Sequence, residues 1–301
     1  MPKIKIAILG ASGMLGSMLV DYFSRCDDFQ VLATTLKENE FKPKKYPKVE
    51  WQTLDASSNA SVFTKILKGR DWIINAIGII KPYIKDDDPQ KIQNAVLINA
   101  IFPHNLATAV EKLNIKVIQI ATDCVWDGRK GKYLETDPHD PVDVYGKTKS
   151  LGEVYSPKVF HLRSSIIGPE QKNHFSLMDW FLFHPKGAKV DGYINHQWNG
   201  ITTLHFAKIC EGIIRKNPKL PHIQHIIPAD SINKAKLFKI FAAHFDRQDI
   251  KISFVKAKEN VDRTLETINP NLNKRIWRLA GYKTFPTVEK MVSELAEYLH
   301  E

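Results

Sequence analysis

A short, mainly apolar run near the start of the chain, with Ile4, Ile6, Ile8 and Leu9 inside Lys3 to Leu9, leads straight into Gly10, Gly13 and Gly16. A run too apolar for a strand with one wet face belongs in a sheet covered on both sides. Gly10 then permits a tight turn, Gly13 a close approach of backbone to a pyrophosphate, and Gly16 the packing of a helix on the strand. The N-terminus of that helix, expected over Met14 to Ser24, offers oriented N–H groups to an anion. The spacing differs by one residue from the common G-x-G-x-x-G form. No Lys-Ser or Lys-Thr pair follows, which argues against a nucleoside triphosphatase loop.

The same alternation continues. Val31 to Thr35, Val49 to Leu54, Asp71 to Ala76 and Lys116 to Ala121 read as further strands. Helical spacing lies between them at Ser61 to Leu67 and from about Gln93 to Leu113. Apolar strands separated by helices specify an α/β fold, a Rossmann-type doubly wound parallel sheet. Beyond Tyr145 the pattern loosens. Val159 to Ile167, Ile223 to Ile227 and Ile250 to Val255 read as strands. Ser176 to Phe183, Leu204 to Ile214, Lys234 to Phe245 and Thr287 to Leu299 read as helices. The expected division is a nucleotide-binding domain over 1–165 and a smaller C-terminal substrate-binding lobe over 166–301, with part of the later chain free to rejoin the first sheet.

Composition narrows the class. Of 301 residues, 43% are apolar and 25% charged, the balance of an ordered globular protein. No run reaches the ~18 apolar residues of a membrane span, and the chain enters a buried-type strand without an apolar leader. Cys26, Cys124 and Cys210 lack metal-ligand spacing and form an odd set, which fits a reduced, cytoplasmic setting. The eleven histidines supply no His-Glu-x-x-His pattern, so no metal is expected. A net charge of +10 would attract any anion, but no nucleic-acid reading element accompanies it. Solvated faces and diphosphate pockets account for it better than nucleic acid does.

The chemistry-bearing residues lie at Thr122, Tyr145 and Lys149. One helix would put Tyr145 and Lys149 on one face, a turn apart. Thr122 follows Ile118 to Ala121, so its hydroxyl stands at the carboxyl edge of the sheet, where it would orient a carbonyl oxygen. Tyr145 would give a proton to the alkoxide formed when hydride reaches a carbonyl carbon, and Lys149 would lower its pKa from the usual value of about 10. The second strand ends without the acidic residue that holds the ribose of NAD. Thr34, Thr35 and Lys37 would accept a 2′-phosphate, so NADP(H) is favoured over NAD(H), with use of both open. Asp55 would either bond adenine or cap the helix beginning near Asn59.

Taken together, Gly10-Ala11-Ser12-Gly13-Met14-Leu15-Gly16, Asn75-Ala76, Asn99-Ala100, Thr122-Asp123-Cys124-Val125-Trp126-Asp127-Gly128, Glu135-Thr136-Asp137, Pro141 and Val144-Tyr145-Gly146-Lys147-Thr148-Lys149 carry a resemblance. The chain resembles the extended short-chain dehydrogenases/reductases, specifically the dTDP-4-dehydrorhamnose reductase (RmlD-like) family. The resemblance implies Thr122, Tyr145 and Lys149 as the catalytic three. It implies Gly10, Ser12, Gly13, Met14, Leu15, Gly16, Ala76, Ile77, Gly78 and Asn99 as cofactor contacts, with Tyr145 and Lys149 shared. The expected substrate is a nucleotide-linked 4-keto-6-deoxysugar, contacted by Cys124, Val125, Trp126, Arg163, Gln197, Trp198 and Arg263. Arg163 and Arg263 are either diphosphate forks or members of structural ion pairs.

Departures concern specificity. Cys124 and Trp126 stand where the family has aromatic Tyr and Phe, and His196 to Thr202 replaces the family's Asp-Gln-x-Gly-x-Pro-Thr stretch. The sugar and its base are therefore open. Two other readings stay beside reduction: epimerisation or dehydration on the same fold, and a non-catalytic NADP-binding regulatory subunit. The patch Phe175, Met178, Trp180, Phe181 and Phe183 is either a wall for the ligand or core plus the surface of a homodimer.

Overall fold

A computed structural model describes residues 2–301. The chain divides into two compact units. The first runs through Val125 and takes up His139–Leu162 and Pro218–Gln224. The second comprises Trp126–Pro138, Arg163–Asn217 and His225–Glu301.

The first unit is built on a seven-stranded sheet. Its strands in chain order are β1 (Ile4–Leu9), β2 (Phe29–Thr35), β3 (Glu50–Thr53), β4 (Trp72–Asn75), β5 (Lys116–Ala121), β6 (Val159–Arg163) and a last strand, Ile223–His225. In space the order is Ile223–His225, β6, β5, β4, β1, β2, β3. The pairs from β3 across to β5 are parallel, with Leu9 beside Thr34 and beside Asn75. The strand order reverses at β1, so a crevice opens beyond the carboxyl ends of β1 and β4, where such sheets bind ligands.

Helices cover both faces, which is why the strands are apolar throughout. On one face Ala7, Leu9, Leu32 and Ile73 join Phe63, Leu67, Phe102, Leu106 and Val110 in one buried cluster. These helical residues come from α2 (Ala60–Leu67) and α4 (Phe102–Leu113). On the other, Leu15, Met18, Leu19 and Phe23 of α1 (Met14–Ser24) are buried, as are the alternate strand residues Ile6 and Ile8.

Side-chain caps set the helix limits. Asn59, rather than Asp55, caps α2 by accepting from the N–H groups of Ser61 and Val62. Asp55 accepts from the N–H of Ser57 at 2.8 Å. Asp88 caps α3 (Pro89–Ala95), whose first residue is a proline that has no N–H to lose. A π-helical turn, Val96–Ile101, carries α3 into α4. Asn114, left-handed at φ 56°, ends α4.

The second unit holds small sheets and five helices. Lys251–Val255 pairs in parallel with Lys189–Tyr193, and His196–Trp198 lies between Ile232–Asn233 and Val261–Asp262. Helices Leu177–Leu182, Thr203–Lys216, Lys234–His244, Pro270–Leu279 and Val288–His300 supply its core through Phe181, Phe206, Phe241, Trp277 and Leu295. The expected strand over Val159 to Ile167 is broken: β6 stops at Arg163, and Ile166–Ile167 pairs instead with Ile201–Thr202. No helix of the described residues is long and apolar enough to cross a membrane.

Candidate active site

The glycine turn is held by its own backbone. Gly13 N–H donates to the carbonyl of Gly10 at 3.0 Å, and Ala11 N–H donates to Thr34 of β2 at 2.8 Å. Gly10 sits at φ +81°, and a Cβ there would lie 2.9 Å from Ile77 Cγ1. A Cβ on Gly16 would lie 2.0 Å from the Gly10 carbonyl oxygen, so only glycine lets α1 start this close to β1. No side chain caps α1 at Gly13. Its leading N–H groups are therefore in the arrangement that suits an anion.

Beyond β4 a second loop runs against this turn. Asn75 is buried; its Oδ1 accepts from the Ile77 N–H at 3.0 Å and its Nδ2 donates to Gln119 at 3.2 Å. Asn99, on the π-helical turn, holds the same loop from the other side. It accepts from Ile79 N–H at 2.8 Å, donates to Ile79 carbonyl at 3.0 Å and donates to Thr148 Oγ1 at 3.2 Å. Ala76, Ile77 and Gly78 keep part of their surface exposed between these anchors.

Thr122 follows β5, and its hydroxyl accepts from Cys124 N–H at 3.2 Å, which fixes the short turn Asp123–Val125. Tyr145 and Lys149 stand one turn apart on α5 (Val144–Leu151). Asp143 caps that helix, accepting from Gly146 N–H at 2.8 Å, and its other oxygen pairs with Lys81 at 2.7 Å. The Tyr145 phenol is hydrogen-bonded to Thr122. Lys149 is buried, and its ammonium lies 3.8 Å from where a Cβ on Gly78 would be. The three expected catalytic residues thus meet at the carboxyl edge of the sheet, beside the loop that faces the glycine turn.

Electrostatics here differ from the simple expectation. Burial pushes the Tyr145 phenol well above its ordinary range. Negative charge at Cys124, Asp123 and Asp143 adds to this, and only the Thr122 hydrogen bond opposes it. Burial also lowers Lys149, with Glu153 opposing. Tyr145 is therefore held in its protonated form, with the Thr122 hydrogen bond acting in the opposite direction.

The other expected residues fall into two groups. Thr34 and Thr35 are buried; the Thr34 hydroxyl has no partner, and the Thr35 hydroxyl donates to the Lys37 carbonyl at 2.8 Å. Lys37 is exposed, Leu15 is core, and Ser12 donates to Glu40 at 3.0 Å. In the second unit Trp126 is buried and stacked on Tyr133 with centroids 4.6 Å apart. Arg163 is buried with its guanidinium 4.5 Å from the Trp126 ring and Nη1 3.0 Å from His225 Nε2. Arg263 donates to the carbonyls of Trp126 and Asp127 at 2.8 and 3.1 Å. Trp198 is buried and donates to Ser165, whereas Gln197 and Cys124 keep exposed surface and Val125 keeps none.

A family model, the RmlD substrate binding domain, matches residues 4–297. The chain belongs to that family. It is 32% identical over 205 residues to the dTDP-4-dehydrorhamnose reductase of Aggregatibacter actinomycetemcomitans, covering 66% of this chain and 63% of that protein. It is 26% identical over 152 residues to methionine adenosyltransferase 2 subunit beta of Xenopus tropicalis, covering 50% of this chain and 42% of that one. The chain therefore spans less than two thirds of the length of these curated relatives. The dTDP-4-dehydrorhamnose reductase of Bacillus anthracis, solved in complex with NADP, matches 99% of this chain and 100% of its own at TM-score 0.72 and 18% identity. That likeness is one of fold.

Within this family member, two glycines that the sequence reading left without a role set the position of α5. A Cβ on Gly146 would lie 2.3 Å from the Cys124 carbonyl oxygen, and one on Gly152 1.9 Å from that of Asn99. Each lets α5 lie directly on a neighbouring backbone, which fixes where Tyr145 and Lys149 point. The sequence signal was present in Tyr145-Gly146 and Gly152-Glu153, but the partner backbones lie far away in the chain.

Proposed function

We propose that this protein reduces the 4-keto group of a nucleotide-linked 4-keto-6-deoxysugar with NAD(P)H. The observation that carries the reading is the meeting of Thr122, Tyr145 and Lys149 at the carboxyl edge of the sheet, next to the glycine turn. A dinucleotide is supported by the uncapped start of α1, by the tight turn that only glycine permits at Gly10 and Gly16, and by the Asn75 and Asn99 anchors of the facing loop. When bound, that cofactor supplies the hydride. Lys149 lies beside Gly78, where it would bond the ribose next to the nicotinamide. Tyr145 donates the proton to the new alkoxide oxygen, and Thr122 orients that oxygen through its hydroxyl. Within the first unit, Cys124 is the expected substrate contact that keeps exposed surface.

The test is to follow NADPH and NADH absorbance with dTDP-, UDP-, GDP- and CDP-linked 4-keto-6-deoxysugars and to identify the product. Stoichiometric loss of reduced cofactor with a 4-hydroxy product supports reduction. An altered sugar with an unchanged cofactor total would replace reduction by epimerisation or dehydration. The similarity to a methionine adenosyltransferase subunit supports a second reading, a cofactor-binding regulatory subunit. Cofactor binding without turnover, coupled to changed activity of a copurifying enzyme, would select it.

A further inference from the structure

We infer that Glu40 selects the adenosine ribose, accepting a hydrogen bond from a free 2′-hydroxyl and repelling a 2′-phosphate, so that the protein prefers NADH to NADPH. This rests on the dinucleotide site proposed above and reverses the preference expected from Thr34, Thr35 and Lys37. The strand end itself offers little to a phosphate. Thr34 and Thr35 are buried, and the Thr35 hydroxyl is committed to the Lys37 carbonyl at 2.8 Å. The chain then makes a short helical turn, Glu38–Glu40, and this turn brings a carboxylate back to the glycine loop. Ser12, between Gly10 and Gly13, donates its hydroxyl to Glu40 Oε2 at 3.0 Å. The glycine loop is in turn tied to the end of β2 by the Ala11 to Thr34 backbone bond at 2.8 Å.

A dinucleotide whose pyrophosphate lies on the start of α1 extends its adenosine ribose toward the end of β2. In the usual arrangement an acidic residue at that strand end bonds the ribose. Here the strand ends in Thr35, and the carboxylate arrives from the following turn, anchored by Ser12. A 2′-hydroxyl donating to it makes a charge-assisted bond. A 2′-phosphate in the same place sets a dianion against a carboxylate, and the Thr34 hydroxyl, which has no partner, is fully buried.

Binding is measured without sugar substrate, by titrating NADH and NADPH against tryptophan quenching for wild type, Glu40→Gln and Ser12→Ala, with thermal melts to verify folding. Wild type is expected to bind NADH at least ~10-fold more tightly than NADPH. Glu40→Gln is expected to tighten NADPH by about 10-fold while changing NADH by no more than about 3-fold. Ser12→Ala, which keeps the carboxylate, should weaken NADH modestly and still disfavour NADPH. A wild type that prefers NADPH, or a Glu40→Gln ratio equal to wild type, overturns the inference and leaves the dinucleotide site standing. Binding of neither cofactor overturns the site itself. Should Glu40→Gln melt early, the wild-type ratio and Ser12→Ala still decide.

Discussion

At the scale of single residues, Tyr145 and Thr122 separate proton donation from orientation. Burial keeps the Tyr145 phenol protonated, so its loss removes the donor without opening a cavity. Tyr145→Phe should lower turnover by about 100-fold or more and leave cofactor affinity within a few-fold. Turnover near wild type would remove Tyr145 from the chemistry. Thr122 has two tasks, since its hydroxyl also accepts from the Cys124 N–H at 3.2 Å. Thr122→Ser keeps both and should retain most activity. Thr122→Val loses both and should fall by ~10- to 100-fold in kcat, with cofactor binding retained. Equal activity of the Ser and Val variants would dismiss the hydroxyl. Sequence alone brought these residues together because Tyr145 and Lys149 are a helical turn apart and Thr122 ends an apolar strand. It placed Thr34 and Thr35 beside the cofactor for the same local reason. Both are buried at the end of β2, which pairs with β3 at the sheet edge.

At the scale of elements, the site depends on how closely α5 approaches its neighbours. The parallel strands and their helices were readable from period and apolarity. The breaks were not: β6 ends at Arg163 and the next pairing goes to Ile201, a long-range choice that local pattern does not encode. The closeness of α5 to the π-helical turn is of the same kind and can be tested by size. Gly152→Ala would put a Cβ 1.9 Å from the Asn99 carbonyl oxygen, where backbone must move to make room. We expect a loss of about 2–4 kcal/mol, with reduced turnover because Tyr145 shifts with the helix. Gly69→Ala is the comparison. It sits at φ +79° with nothing within 4 Å, so only backbone strain of about 1 kcal/mol is expected. Denaturant melts that ranked the two equally would mean that the α5 contact yields easily.

For the molecule as a whole, acid should be the weak direction. His161 on β6 is fully buried, and burial pushes its imidazole down to about 4, with His222 and Lys149 acting the same way and Glu153 and the Val154 carbonyl opposing. In the second unit burial likewise lowers His205, while the Glu294 carboxylate is held well below its usual range; burial raises it, but bonds from His205, Lys208 and Tyr282 prevail. A histidine lowered on folding is neutral in the native state and gains a proton on unfolding once the pH is under about 6.5. Its native form is therefore fully supported above that pH and penalised progressively as the pH falls from about 6.5 toward 4. For His161 a shift of that size corresponds to about 3 kcal/mol at the acid end of the window. His161→Gln keeps a donor for the Val154 carbonyl, which His161 Nε2 meets at 3.1 Å, and removes the titration. Melting temperatures of wild type should hold steady from pH 8 to 6.5 and fall steeply below, and the variant should fall less over the same interval. Parallel curves for the two proteins would assign the acid lability to the carboxylates instead.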